Sequence, residues 1–422
     1  MAETVLITGA RAPVALDIAR SFAAAGFAVH MADSVTARIA RWSRVPKRVH
    51  RLPPPRGDPA AFAEAVAALV AAVDPLLIVP TCEEVFHLAA LGNRSERPGN
   101  RSTPRRNDSP PRKRGGEKNQ AAKVAHTFSP LTALGQDRLF APDAATLQRL
   151  HAKDRFAELC RELRLASPET HRLESAGALD RFRATARDWV FKPVYSRFGS
   201  QARVGPANLD RIAPTGDMPW VAQRRVRGDE VSFYAVCRAG VVTAFAAYRS
   251  TWRLGGGAGY AFAALPDDQA TELAAMASTL AGTVGQGQFA CDAIRDAEDR
   301  FQLIECNPRA TSGAHLFGRG PGLARAMLDD PGLAAAVPIR SLRAHVAPAL
   351  WSYGLGATLG RRRLRDWLSE QRRGRDVVGA PRDRWPVAGA FVDSAVFGIK
   401  ALVARRTLAE QTTADIEWNG DS

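Results

Sequence analysis

Cysteine is scarce in this 422-residue chain: five, at Cys82, Cys160, Cys237, Cys291 and Cys306, with no CxxC pair and no even framework. Together with the lack of a basic-then-apolar leader, that usage is expected of a reduced, cytoplasmic protein. No run reaches the roughly 18 apolar residues of a membrane span. Ala60–Val73 is interrupted by Glu64 and reads as an amphipathic helix. Acidic residues are also short, 43 against 58 Lys and Arg, for a net charge of +15. Such an excess points to nucleic acid until it is dissected. Ten basic residues against three acidic ones fall within Asn93–Lys123, so nearly half of the excess sits in one segment. That segment also holds Pro98, Pro104, Pro110 and Pro111 and has no apolar periodicity, which predicts disorder. Either it is a basic arm for RNA or another anion, or it is a tolerated surface insertion. No aromatic residue interleaves with the charges to stack on bases, so insertion is the favoured reading and nucleic acid is not an expected partner.

What is present concentrates near residue 300. Phe301–Ile304 reads as a strand delivering Glu305, Asn307 and Arg309 at alternate positions, which a strand turns to one face. Asp292 follows another short apolar run, Phe289–Cys291, and Asp296, Glu298 and Asp299 make a polar turn between the two. This predicts a hairpin with Asp292 beside Glu305 and with Cys291 and Cys306 on the opposite, buried face. Two carboxylates, an amide and a guanidinium suit Mg²⁺ (or Mn²⁺) and the phosphates it carries; an ordinary hairpin with surface charges has the same pattern.

Three further elements lie upstream. Lys153, in His-Ala-Lys-Asp-Arg-Phe, opens a helix running to Leu165, followed by Ser167-Pro168-Glu169-Thr170. Lys192 ends the strand-like Trp189–Lys192 and leads through Pro193 into a small-residue loop containing Gly199. Val221–Glu230, with Gly228 before two acidic residues, is the third element, and the resemblance that follows implies that it is an interdomain hinge. Two lysines on separate elements supply compact positive charge to phosphate oxygens.

Taken in order with the Asp292 hairpin, these elements resemble the ATP-grasp superfamily over about residues 130–330. The resemblance implies a two-lobed ATP-binding domain behind a Rossmann-like lobe, an α/β and α+β chain overall. It implies ATP and a divalent metal, with Lys153 and Lys192 on phosphates and Gln223, Val226 and Glu230 holding the nucleoside. Asp292, Glu305 and Asn307 would bind metal, and Arg309 would stabilise transferred charge. It implies an ADP-forming ligase that activates a carboxylate as an acylphosphate for attack by an amine or similar nucleophile. Two departures stand out: Gln223 and Arg224 replace the acidic pair that often opens the hinge, and the loop after Lys192 is glycine-poor. Between hinge and hairpin, Arg249 and Arg253 flank the cluster Gly255–Gly257, and the resemblance makes Arg253 the contact for the acceptor carboxylate; a plain hairpin turn fits equally. After Arg309, Ala310–His315 is expected to continue the same wall, with His315 as packing or as a support behind the site residues rather than a base.

Ahead of these, Val5–Thr8, Ala28–Met31 and Leu76–Val79 are strands separated by helices, predicting a parallel, doubly wound lobe. Gly9 and Asp33 raise a second possibility, an NAD(P)-dependent oxidoreductase, but Gly9–Val14 lacks the second and third glycines that let backbone approach a pyrophosphate. Thr81, Glu83 and Glu84 read either as a helix cap or as substrate contacts. The expected division is 1–92, the basic insertion 93–123, the ATP-grasp domain 124–330 and a subdomain 331–422. In the last of these, Ala390–Leu402 is a mostly apolar, helix-like segment that reads as part of a covering subdomain, as a partner surface or as an interfacial helix, and packing on the nucleotide-binding core is the favoured reading. The partners expected are small carboxylate and amine substrates, with monomer or homodimer left open. Deleting Asn93–Lys123 is expected to leave catalysis intact, since loop closure changes by only about 0.6 kcal/mol per doubling of length; an activity assay and a thermal melt of the deletion variant check this.

Overall fold

The computed structural model describes residues 2–94, 138–196, 201–254, 257–328, 343–361 and 364–420. The expected disordered insertion and the Gly199 loop lie outside the described residues.

The chain opens with four short parallel strands, β1 (Thr4–Thr8), β2 (Ala28–Asp33), β3 (Arg48–Arg51) and β4 (Leu77–Val79), in the order β3-β2-β1-β4. Helices α1 (Pro13–Ala24), α2 (Arg38–Arg41), α3 (Pro59–Val73) and α4 (Glu84–Arg94) connect and follow them. Strands β1 and β4 are almost wholly apolar because parallel strands are covered on both faces. Leu139 adds a single parallel bridge beside Ile78.

Two helices lead into the next layer, α5 (Ala144–His151) and α6 (Lys153–Glu162). Asp143 caps α5 by accepting from the backbone N–H groups of Ala145 and Thr146. A small antiparallel sheet follows, made of β5 (Thr170–Leu173), β6 (Trp189–Pro193), β7 (Arg203–Val204) and β8 (Trp220–Arg224), ordered β5-β8-β6-β7. The central layer is a seven-stranded sheet: β9 (Asp229–Arg238), β10 (Val241–Arg253), β11 (Gly259–Ala264), β12 (Gly287–Arg295), β13 (Phe301–Asn307), β14 (Arg343–His345) and β15 (Gly374–Asp376). Its order is β13-β12-β9-β10-β11-β14-β15, antiparallel except for the pair β14–β15. Helices α6 and α7 (Asp267–Val284) cover one face; the other packs through Tyr234, Val236 and Phe262 towards α1 and α8 (Gly322–Met327).

The C-terminal residues differ from expectation. Strands β14 and β15 extend the central sheet, and α9 (Ala347–Ala349) runs through a π turn into α10 (Leu355–Arg361), ahead of α11 (Leu364–Arg373). Helix α12 (Trp385–Ala404), which contains the apolar segment expected on the nucleotide-binding core, packs instead on α2 of the first lobe. Asp393 anchors it by accepting from Arg38 Nη1 (3.0 Å) and from the Ile39 N–H (3.1 Å). Gly389 lies so close that a Cβ there would sit 2.6 Å from the Arg38 carbonyl oxygen. The expectation that no segment is long and apolar enough to span a membrane is also corrected: α12 passes that test by length and composition, because Asp393 and Lys400 are too few to lower its mean hydropathy of 1.7.

The last described helix, α13 (Leu408–Thr413), starts with a capping box between Thr407 and Glu410 and returns the chain to the first lobe. There Arg11 bridges Asp33 and Asp415 at 2.6 Å each, and Ser34 Oγ donates to Asp415 at 2.7 Å. Asp33 is therefore spent on an internal ion pair. Only about 10 Å³ remains free between Gly9, Asp33, Glu84 and Ile416. The crevice where a ribose would bind in the dinucleotide alternative is occupied by Arg11 and by the returning tail at Asp415 and Ile416. Thr81 and Glu84 serve the lobe as well. Thr81 Oγ1 donates to the Thr8 carbonyl (2.7 Å), and the buried Glu84 accepts from Thr8 Oγ1 (2.7 Å) and the Thr81 N–H (3.0 Å).

A buried charge cluster ties α1 to the central sheet. Asp17 accepts from His315 Nδ1 and Arg375 Nη2, both at 2.8 Å, and lies 3.3 Å from Arg20. Burial opposes ionisation of Asp17, yet His315 and Arg375 outweigh it and hold the carboxyl well below its ordinary range. A carboxylate depressed on folding stabilises the protein above its unfolded pKa of about 3.9 and loses that contribution as pH falls further. Asp17→Asn is expected to cost about 3 kcal/mol at neutral pH and to flatten the loss of stability below pH ~4; urea titrations at pH 7 and pH 3 measure both.

Candidate active site

The sequence places Asp292 and Glu305 on the two strands of one hairpin, and antiparallel pairing sets them directly opposite each other on β12 and β13. Cys291 and Cys306 form the next pair, face the other way and are buried, as the alternation requires. On the far side of β12, Ser232 of β9 pairs with Asp292, and its hydroxyl donates to Asp292 Oδ1 at 2.6 Å. The expected hairpin thus becomes three strands presenting oxygen ligands to one cleft.

Lysines approach from two other elements. Lys192, buried at the end of β6, lies 3.6 Å from Glu305 Oε2 and donates to the Ile304 carbonyl at 3.4 Å. Lys153, the first residue of α6, lies 3.8 Å from the same oxygen and donates to the carbonyls of Val194 (3.2 Å) and Ser196 (3.3 Å). Lys153 thereby ties the start of the loop after β6 to α6. Gln223 of β8 donates through Nε2 to Thr170 Oγ1 at 3.1 Å and to the Ile304 carbonyl at 3.4 Å. Arg309 donates to the Ala310 carbonyl (3.3 Å) and Asn307 Oδ1 (3.4 Å).

These groups share one cleft of about 780 Å³ between the small sheet and the central sheet. Lys192, Gln223, Val226, Glu230, Arg253, Asp292, Glu305, Asn307 and Arg309 line it; Lys153 stands behind Glu305 rather than on the wall. One arrangement departs from the residue-by-residue expectation. Glu230 and Arg253, read from the sequence as contacts for two different ligand groups, form an ion pair with each other at 2.8 Å. Ser232 and Tyr248 also line the cleft and were missed, and Thr311 lines it within the stretch expected to continue the wall after Arg309. The signal for Ser232 was present, a lone small hydroxyl in the apolar strand Val231–Val236 at the alternation shared with Glu230.

The electrostatics follow from crowding. Burial and the adjacent Glu305 charge push Asp292 up to about 7, although the Ser232 hydroxyl partly offsets them. For Glu305, burial is overcome by Lys153 and Lys192, which keep it ionised below its ordinary range. Two carboxylates and the Asn307 amide, all hard oxygen donors, fit a divalent cation, whose charge lets both acids ionise together.

The hinge depends on backbone geometry. Gly228 has φ +156°, and a Cβ there would stand 1.8 Å from the Arg295 carbonyl oxygen, so only glycine lets the Val226–Glu230 turn lie against β12. Gly228→Ala is expected to lower stability by roughly 2 kcal/mol and to shift Val226 and Glu230 off the cleft wall; a denaturant titration and a crystal structure of the variant check both.

No family model matches the chain, and no curated protein matches it in sequence. Solved structures do. An N5-carboxyaminoimidazole ribonucleotide synthetase in complex with ADP superposes with TM-score 0.58 at 11% identity, over 83% of this chain and 85% of that one. The L-amino acid ligase from Bacillus licheniformis gives 0.55 at 12% identity, over 82% and 79%. The biotin carboxylase domain of a 2-oxoglutarate carboxylase from Hydrogenobacter thermophilus, a dimer solved with MgADP and bicarbonate, gives 0.53 at 13% identity, over 75% and 66%. At such identities the likeness speaks for the fold alone, a fold this chain shares with these structures.

Proposed function

We propose that this chain is an ATP-dependent, ADP-forming ligase that activates a carboxylate as an acylphosphate and passes the acyl group to an amine or similar nucleophile. The observation that carries the proposal is the pairing of Asp292 with Glu305 across β12 and β13, with Lys192 and Lys153 converging on Glu305. Structures of the same fold, solved with ADP or MgADP, support it.

In this reading Lys192 and Lys153 exchange their hold on Glu305 for phosphate oxygens. Gln223, Val226 and Glu230 hold the nucleoside. Asp292, Glu305 and Asn307 hold Mg²⁺, which when bound screens the phosphate charges. Arg309, two residues beyond β13, neutralises charge that develops on the γ-phosphoryl as it passes to the substrate carboxylate. Attack by the amine on the acyl carbon then expels phosphate. Arg253 grips the acceptor carboxylate once it is released from Glu230, which gives ribose and acceptor binding a shared trigger. The protein acts on small molecules in the cytoplasm.

Calorimetry with ATP, with and without Mg²⁺, tests the reading: MgATP is expected to bind, whereas NAD(P) binding without MgATP binding overturns it. Glu305→Gln is expected to keep the fold and to lose Mg²⁺-dependent ADP release by orders of magnitude. Unchanged ADP release in that variant removes Glu305 from the site. Screening amino acids and small carboxylates for stimulated ADP release identifies the acceptor.

A further inference from the structure

The outer face of α12 is left uncovered among the described residues. The helix has 20 residues and so is about 30 Å long. Its inner face is committed: Pro386, Gly389 and Ala401 are buried, and Asp393 is bonded to Arg38 and Ile39. The outer face carries Trp385, Val392, Ile399 and Leu402 along one stripe, with Phe391 and Val403 beside it. Leu402 and Val403 are 81% and 83% exposed, far beyond what a surface side chain needs. Trp351, in the π turn after α9, stacks on Phe391 at 6.3 Å, so the apolar surface continues to the exposed Tyr353 and Leu355.

Basic residues bracket this surface. Arg382 and Arg384 precede α12, and Lys400, Arg405 and Arg406 lie at its other end, all exposed. The helix's one acidic residue, Asp393, is turned inward onto Arg38.

We propose that the outer face of α12, with Trp351 and Tyr353, lies in the plane of an anionic lipid bilayer and holds the protein at its surface. Charge selects this occupant over a second copy of the chain. Parallel pairing of α12 with itself sets each basic end against its equal, and antiparallel pairing sets Arg405 and Arg406 against Arg382 and Arg384. Anionic headgroups neutralise both ends at once. The inner face selects an in-plane position over a span: leaving α2 would break the Asp393 bonds and strand a carboxylate in hydrocarbon. Tryptophan and tyrosine at the rim suit the depth of the headgroups.

Flotation of the full chain with vesicles of phosphatidylcholine alone, and of phosphatidylcholine mixed with phosphatidylglycerol, tests this. Binding is expected to the mixed vesicles, with release by raised salt and little binding to phosphatidylcholine alone. The double variant Leu402→Glu, Val403→Glu is expected to lose binding at least about tenfold with an unchanged thermal midpoint, because both side chains are exposed. Neutralising Lys400, Arg405 and Arg406 to Gln is expected to weaken binding roughly fivefold per charge. Absence of binding to anionic vesicles overturns the proposal, as does equal, salt-insensitive binding to both compositions. A dimer seen by sedimentation without vesicles and abolished by the double Glu variant also overturns it, in favour of a second copy.

Discussion

Two carboxylates held side by side on neighbouring strands constrain everything around them. Asp292 and Glu305 cannot both carry charge in a confined cleft without cations beside them, and the fold supplies those cations from elsewhere in the chain. Lys192 arrives from the small sheet and Lys153 from the helix ahead of it, so the central sheet is joined electrostatically to two elements that share no strand with it. The same lysines hold the carbonyls of Ile304, Val194 and Ser196, which fixes where the small sheet sits over the cleft. Ligand binding at such a place must trade one set of ion pairs for another, so occupancy of the cleft and the relation between the two sheets are coupled.

The first lobe shows the opposite use of charge. Arg11, Asp33, Ser34 and Asp415 close a crevice that comparable parallel sheets leave open for ligands. Burial alone would disfavour the Arg11 cation, and two carboxylates more than reverse that, so the ion pair is structural and the tail is held in place. The cluster of Asp17, His315 and Arg375 completes the division of labour, joining α1 to the wall that continues from Arg309. His315, which follows the Asp292–Glu305 hairpin in sequence, is therefore a structural tie to Asp17.

The order of chemical groups along the chain is legible in the amino-acid sequence. Alternation puts Glu305 and Asn307 on one face of β13 and Cys306 on the other, and Arg309, two residues past the strand, still lines the same cleft. The polar turn at Asp296–Asp299 implies a hairpin, and the hairpin implies the Asp292–Glu305 pair. The strand–helix repeats of the first lobe are legible for the same reason: local periodicity and breaker residues are written into consecutive positions.

Relations between distant segments are not. Nothing near Asp33 in sequence announces that Asp415 will share its arginine, and nothing near Glu230 announces Arg253. Ser232 becomes a partner of Asp292 only through the register of β9 against β12. Residues Ala390–Leu402 illustrate the limit most plainly: their apolarity is visible, but which side they cover depends on Gly389 and Asp393 meeting α2, some 350 residues earlier. The sequence by itself determined the local elements and the set of charged groups. Tertiary structure alone decided which of those groups neutralise one another and which stay available for a ligand, because pairing between charges is set by distance in space and not along the chain.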